Sequence, residues 1–248
     1  VDIDVTGAAG ITLGHINGAE SLTLTSTDAA GDVTLRNADI ASVTIDDAND
    51  VTLSGQAVTS GDFIVDGTTD GIITVDGSIN AGGNATLDTA ALVDINGTVS
   101  ADEALSVSTT ANVDIDNNLT GDSVTINGDT GITLNGDVHG TNGNVTVSDG
   151  LTVDGDSTVT SENGDLTFES TIVGPSALNA FADSGTVNFE NSVGTGVALA
   201  SLVVTASTVA TIFVENVIYH TLSRPTLRLE TMDGRLTVAV HDGSPQLP

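Results

Sequence analysis

A three-residue motif, two apolar positions flanking a mostly polar one, recurs along most of the chain. It reads Val43-Thr44-Ile45, Val51-Thr52-Leu53, Phe63-Ile64-Val65, Ile73-Thr74-Val75, Ala85-Thr86-Leu87 and Val93-Asp94-Ile95. It continues as Leu105-Ser106-Val107, Val113-Asp114-Ile115, Val124-Thr125-Ile126, Ile132-Thr133-Leu134, Val145-Thr146-Val147 and Leu151-Thr152-Val153. Alternation of this kind predicts short β-strands, with the outer two members on one face and the middle one on the other. Every second triplet returns after 19 to 22 residues. The repeating unit is therefore about twenty residues long and holds two such strands. A third short strand completes it, opened by a polar residue and a glycine: Ser54-Gly55 before Val58, Asp76-Gly77 before Ile79, Asn96-Gly97 before Val99, Asn135-Gly136 before Val138, Asp154-Gly155 before Val159. No Asn-Gly pair is followed by a strand long enough to return as a hairpin. The pattern predicts an all-β protein, a right-handed parallel β-helix with about 20 residues and three short strands per turn, each turn stacked about 4.8 Å above the last.

The stacking can be read as columns. The first strand's inward positions are Val43, Phe63, Ala85, Leu105, Val124, Val145, Leu166 and Val187, then Ile45, Val65, Leu87, Val107, Ile126, Val147, Phe168 and Phe189, all apolar. Phe168 and Phe189 fall on successive turns, where their rings are expected to stack. The outward column, Thr44, Ile64, Thr86, Ser106, Thr125, Thr146, Thr167 and Asn188, is nearly all polar. One unit carries Asn117 where the others carry the corner glycine. Because Asn tolerates φ > 0 best after Gly, the substitution predicts left-handed corners at positions such as Gly97 and Gly136. From Ser170 onward, with Gly174-Pro175 and Gly194 to Gly196, the unit loosens.

Charge narrows the function. Among 248 residues, 34 are acidic and only four are basic, all arginine, for a net charge of −30. Such a surface cannot neutralise phosphates, which excludes nucleic acid, and it is repelled by anionic lipid. With no cysteine there is neither a disulfide framework nor a thiolate metal site. Residues 1–200 carry 30 of the acids and one arginine, whereas 201–248 carry four acids and three arginines. The expected division is an acidic shaft over 1–200 and a near-neutral cap or assembly segment over 201–248. The uncharged run from Gly196 to Val214 is read as buried strands, because it is rich in Ser, Thr and β-branched residues, and no membrane span is expected. The chain opens at Val1 inside an alternating pattern and is read as a mature or excised segment.

Over about residues 1–195 the twenty-residue unit with Gly/Asn corners resembles the shafts of filamentous-haemagglutinin-like exoproteins and related β-helical surface adhesins. The resemblance implies an extracellular or cell-surface location and a long adhesive or structural role. The asparagine-proline motif of the secretion domain in such proteins is lacking here. Polysaccharide lyases share the right-handed β-helix but need Arg or Lys beside calcium-holding carboxylates, and residues 37–223 contain neither. A non-enzymatic structural or adhesive rod is expected, with a carbohydrate-binding or polysaccharide-cleaving β-helix as the alternative and surface glycans as candidate partners.

Two acidic columns pose a calcium question. After the first triplet stand Asp46, Asp66 and Asp88, and after the second Asp76, Asp116 and Asp154, with Ser, Asn or Glu at the intervening places. Stacked carboxylates repel by about 0.9 kcal/mol at about 4.8 Å in water, and Ca²⁺ or salt would relieve this. The four histidines have no metal spacing. Asn84, Asn96, Asn118 and Asn144 open Asn-x-Thr sequons. At the other end, Arg224, Arg228, Arg235 and Tyr219 are candidates for assembly, in which strands such as Thr226-Leu227-Arg228-Leu229-Glu230 pair with a neighbouring copy and drive head-to-tail self-association.

Overall fold

The computed structural model describes residues 2–5, 10–26, 31–68, 71–209, 213–214, 226–232 and 235–241, and the side chains of 10–26, 31–66 and 71–207. It is an all-β solenoid of about nine turns with ~21 residues per turn. Each regular turn contributes one strand to each of three sheets. The first sheet stacks Ser42–Asp46, Phe63–Thr68, Ala85–Thr89, Ala104–Thr109 and Ser123–Gly128 in parallel. The second stacks Val51–Leu53, Ile73–Val75, Val93–Ile95, Asn112–Ile115 and Gly131–Leu134. The third stacks Gln56–Thr59, Ser78–Ala81, Val99–Ala101, Leu119–Gly121 and Val138–Gly140.

Register follows the triplets. Val43 sits against Phe63, Phe63 against Ala85, and Ala85 against Leu105. Both inward columns of the first sheet are buried throughout. Burying a Val, Leu, Ile or Phe side chain contributes roughly 1.5–3 kcal/mol, so each turn adds several such increments to one continuous core. The rings of Phe168 and Phe189 stack with centroids 5.1 Å apart and planes 7° from parallel, as their places in the repeat predict. Buried hydroxyls at the ends of strands bond to backbone carbonyls about one turn back, Thr89 Oγ1 donating to Gly71 at 2.6 Å and Ser161 Oγ to Gly143 at 2.9 Å, whereas Ser26 Oγ is buried with no partner among the described residues.

The corners correct one expectation. Positive φ occurs at Asp47, Gly131, Gly174, Gly194 and Gly196 among the described residues, and Gly97, Gly136 and Asn117 do not share it. The corner glycines are needed for closeness instead. A Cβ on Gly97 would lie 1.4 Å from the carbonyl oxygen of Gly77 one turn away, and one on Gly77 would lie 1.7 Å from that of Gly55. A Cβ on Gly136 would lie 2.2 Å from the Asn117 carbonyl oxygen. At these corners the backbone of one turn rests directly on the backbone of the next. The loosened region does use left-handed glycine, at Gly194 (φ 82°) and Gly196 (φ 88°).

Beyond residue 170 the strands run round corners without a break. Ala177–Phe189 passes from the third sheet into the first, and Ser201–Val209 lies parallel on it with a register shift between Ala182 and Thr186. The parallel stack thus continues past residue 200. It meets a hairpin made of Thr226–Met232 and Arg235–His241. Arg235–His241 pairs antiparallel with Ser201–Val209, Val203 opposite Ala239 and Ala206 opposite Leu236. Among the described residues no helix is long and apolar enough to cross a membrane.

Gly97→Val is expected to destabilise the shaft by about 1–3 kcal/mol or more, because the new side chain collides with rigid backbone. A Cβ on Gly14 would meet no atom within 4 Å, so Gly14→Ala is expected to be neutral or to gain a few tenths of a kcal/mol from reduced chain entropy. Denaturant melts of the two variants beside the parent chain check the contrast.

Candidate functional site

Most of the acids and amides at the corners bond along the axis. The strand ladder ends where the backbone turns, and an Asx oxygen there reaches the backbone N–H of the equivalent residue one turn on. Asp62 Oδ1 accepts from the N–H of Asn84 at 2.8 Å, and Asn84 Oδ1 from that of Ala104 at 3.2 Å. Asn144 Oδ1 accepts from Asp165 at 2.9 Å, and Asp165 Oδ1 from Thr186 at 2.8 Å. Before the third sheet the same contact joins Asn118 to Asp137 (3.1 Å), Asp137 to Thr158 (2.7 Å) and Asp156 to Ala177 (2.9 Å). Before the second sheet Asp50 Oδ1 accepts from Ile72 at 2.8 Å. Hydrogen bonds to an ionised acceptor are the stronger kind, about 1.5–3 kcal/mol each. All four sequon asparagines have side chains engaged across turns, Asn84 to Asp62 and Ala104, Asn96 to Asp76, Asn118 to Asp137, and Asn144 to Asp165.

The two candidate calcium columns differ from each other. Asp46 and Asp66 are direct neighbours in the first sheet and both are exposed. Asp88 follows, its pKa raised by partial burial and then by the Asp66 carboxylate, against hydrogen bonds from Ser108 and Thr89. In the second column amides separate the acids, in the order Asp76, Asn96, Asp116, Asn135, Asp154. Asn96 Nδ2 donates to Asp76 Oδ1 at 3.1 Å, and Asn135 Nδ2 to Asp116 Oδ1 at 2.6 Å. Among the described residues no three His, Asp or Glu side chains are grouped so as to hold a metal ion.

A further like-charge pair lies on the second sheet. Asp94 and Asp114, the middle members of two successive triplets, are register partners on the outward side of the second sheet. Asp114 is half-buried, and its Oδ1 is enclosed with no hydrogen-bond partner. Its pKa is raised by burial first, then by Asp116, Asp94 and Asp154. The signal was present in the sequence as two acids at the same triplet position twenty residues apart.

Other charged groups are scattered. His139 Nε2 and Glu162 Oε1 are 2.9 Å apart, joining the third sheet to the corner of the next turn. His15 and Arg36 are exposed on early turns. Arg224 and Tyr219 lie outside the described residues, and Arg228 and Arg235 belong to the two hairpin strands, whose backbone alone is described. In comparisons with protein families, with characterised proteins and with solved structures, nothing matched this chain. The solenoid architecture is that of β-helical repeat proteins in general.

Asp114→Asn is expected to raise stability at pH 7 by about 1 kcal/mol, the size of one carboxylate pair in a water-like dielectric, and by less in high salt. A carboxyl whose folded pKa is raised binds its proton more tightly in the folded state, so its charge destabilises the fold as pH rises through that pKa. The gain in melting temperature of Asp114→Asn should therefore be largest at neutral pH and vanish as pH falls toward about 4. In addition, CaCl₂ is expected to raise the melting temperature no more than NaCl at equal ionic strength; a saturable calorimetric isotherm for Ca²⁺ would contradict this.

Proposed function

We propose that the chain is a non-enzymatic extracellular rod, structural or adhesive in role. The observation that carries this reading is the axial use of the corner acids and amides. Asp50, Asp62, Asp137, Asp156 and Asp165 each accept a backbone N–H from the next turn. Their chemistry is directed at holding the stack straight, while the outward columns between them are mostly small and polar. A net charge of −30 favours a well-solvated surface that stays apart from its neighbours. The pattern-level likeness to filamentous-haemagglutinin-like exoproteins points the same way, as an analogy of fold rather than of site.

The hairpin favours an end cap over head-to-tail growth. Among the described residues it adds two rungs to the third sheet and none to the other two, about 10 Å at the strand spacing. A second copy seated on that end would meet a step and could not continue all three sheets together. Capping also covers the exposed edge of Ser201–Val209, which would otherwise template association.

Small-angle scattering from the full chain is expected to report an elongated particle with a shaft of about 45 Å, nine turns at the strand spacing. Sedimentation should find monomers at high concentration, and a chain ending at residue 225 should associate or aggregate. A compact particle would overturn the rod, and concentration-dependent filaments of the intact chain would overturn the cap.

A further inference from the structure

On the outward side of the third sheet two polar rows run along the axis and enclose a shallow depression. Asn118, Asp137 and Thr158 line one side, and Thr120, His139 and Thr160 the other. The rows are fixed by register: Asn118 and Thr120 precede and follow Leu119, which pairs with Val138, which pairs with Val159. One turn further on, Phe181 is the register partner of Thr160 and is half-buried on the same outward row. The site therefore spans about 14 Å along the rod, three steps of the strand spacing. Glu162 Oε1 lies 2.9 Å from His139 Nε2, which holds the imidazole within the lining of the depression. The bonds from Asn118 and Asp137 to the next turn use one oxygen each, so an amide NH₂ and a carboxylate oxygen remain beside three threonine hydroxyls.

From this arrangement we infer that the depression binds a neutral glycan, laid along the rod axis. Mixed donors and acceptors at fixed spacing suit a chain of hydroxyl groups, and the Phe181 ring offers a platform for the apolar face of a sugar. Asp137 and Glu162 repel anionic ligands, and residues 37–223 supply no Arg or Lys to offset them. A peptide is disfavoured because this is the face of a sheet: the backbone groups are committed to the ladder, which closes the strand-addition mode. The inference rests on the rod reading and names the partner of its adhesive form.

The test is a printed array holding neutral oligosaccharides beside sulfated and uronate-bearing ones, probed with the full chain. Neutral glycans should be retained. The double variant Thr120→Val/Thr160→Val and the variant Phe181→Ala should each lower retention about tenfold or more, while Thr86→Val on the first sheet leaves it unchanged. These substitutions are all on outward positions, and unchanged thermal melts establish that each variant is folded. Retention of no neutral glycan, retention of acidic glycans only, or equal retention by the variants would overturn the inference. Scattering from the same chains separates the two readings: a rod profile with no neutral-glycan binding defeats the site alone, and a compact profile defeats the rod.

Discussion

Along the sheets of this shaft a strand residue rests on its register partner one turn below, about 4.8 Å away, with the same orientation. The contact is repeated at each position, so whatever stands at a position must tolerate a near copy of itself. Apolar side chains do so with gain: Val43, Phe63, Ala85 and Leu105 form one buried column. Two phenylalanines do so by lying flat on each other. Glycine does so where backbone meets backbone, at Gly55, Gly77 and Gly97. Carboxylates do so at a cost unless an amide or a backbone N–H comes between them.

That cost explains how the acids are arranged. Where an Asx side chain stands at a corner, its oxygen is turned along the axis to the next turn's N–H, as from Asp62 to Asn84 and from Asp137 to Thr158. The charge then acts at both scales, as a local acceptor for a group the turning backbone leaves over, and as part of a surface that keeps the rod hydrated. Asp94 and Asp114 on the second sheet, and Asp46 and Asp66 on the first, are exceptions, as carboxylates that are direct register partners in their columns. The sequon asparagines belong to the same system. A glycan attached to Asn96 Nδ2 would leave one N–H where the amide now donates to both Asp76 and Asp94.

The strand columns were legible in the sequence because inward position and apolarity coincide at every turn, and the Phe168–Phe189 stack followed from them directly. The corner glycines were visible, but their reason was not. Glycine serves both positive φ and close approach, and only the 1.4 Å separation at Gly97 shows which applies. The Asx contacts were hidden for a different reason: they join residues about one turn apart at places where the repeat length varies, so spacing alone did not align donor with acceptor. His139 and Glu162, 23 residues apart, fall off the repeat for the same cause. The hairpin strands were recognisable as strands. Their antiparallel seat on the chain's own last coil was not, because nothing in an alternating pattern says which edge it will choose.

The column Asp76, Asn96, Asp116, Asn135, Asp154 has a period of two turns, although the fold itself repeats every turn. Parity therefore matters to this chain. A duplication or deletion of two successive turns preserves the order of acid and amide, and a change of one turn brings like onto like. The alternation of acid and amide in this column is kept only when coils are added or removed in pairs.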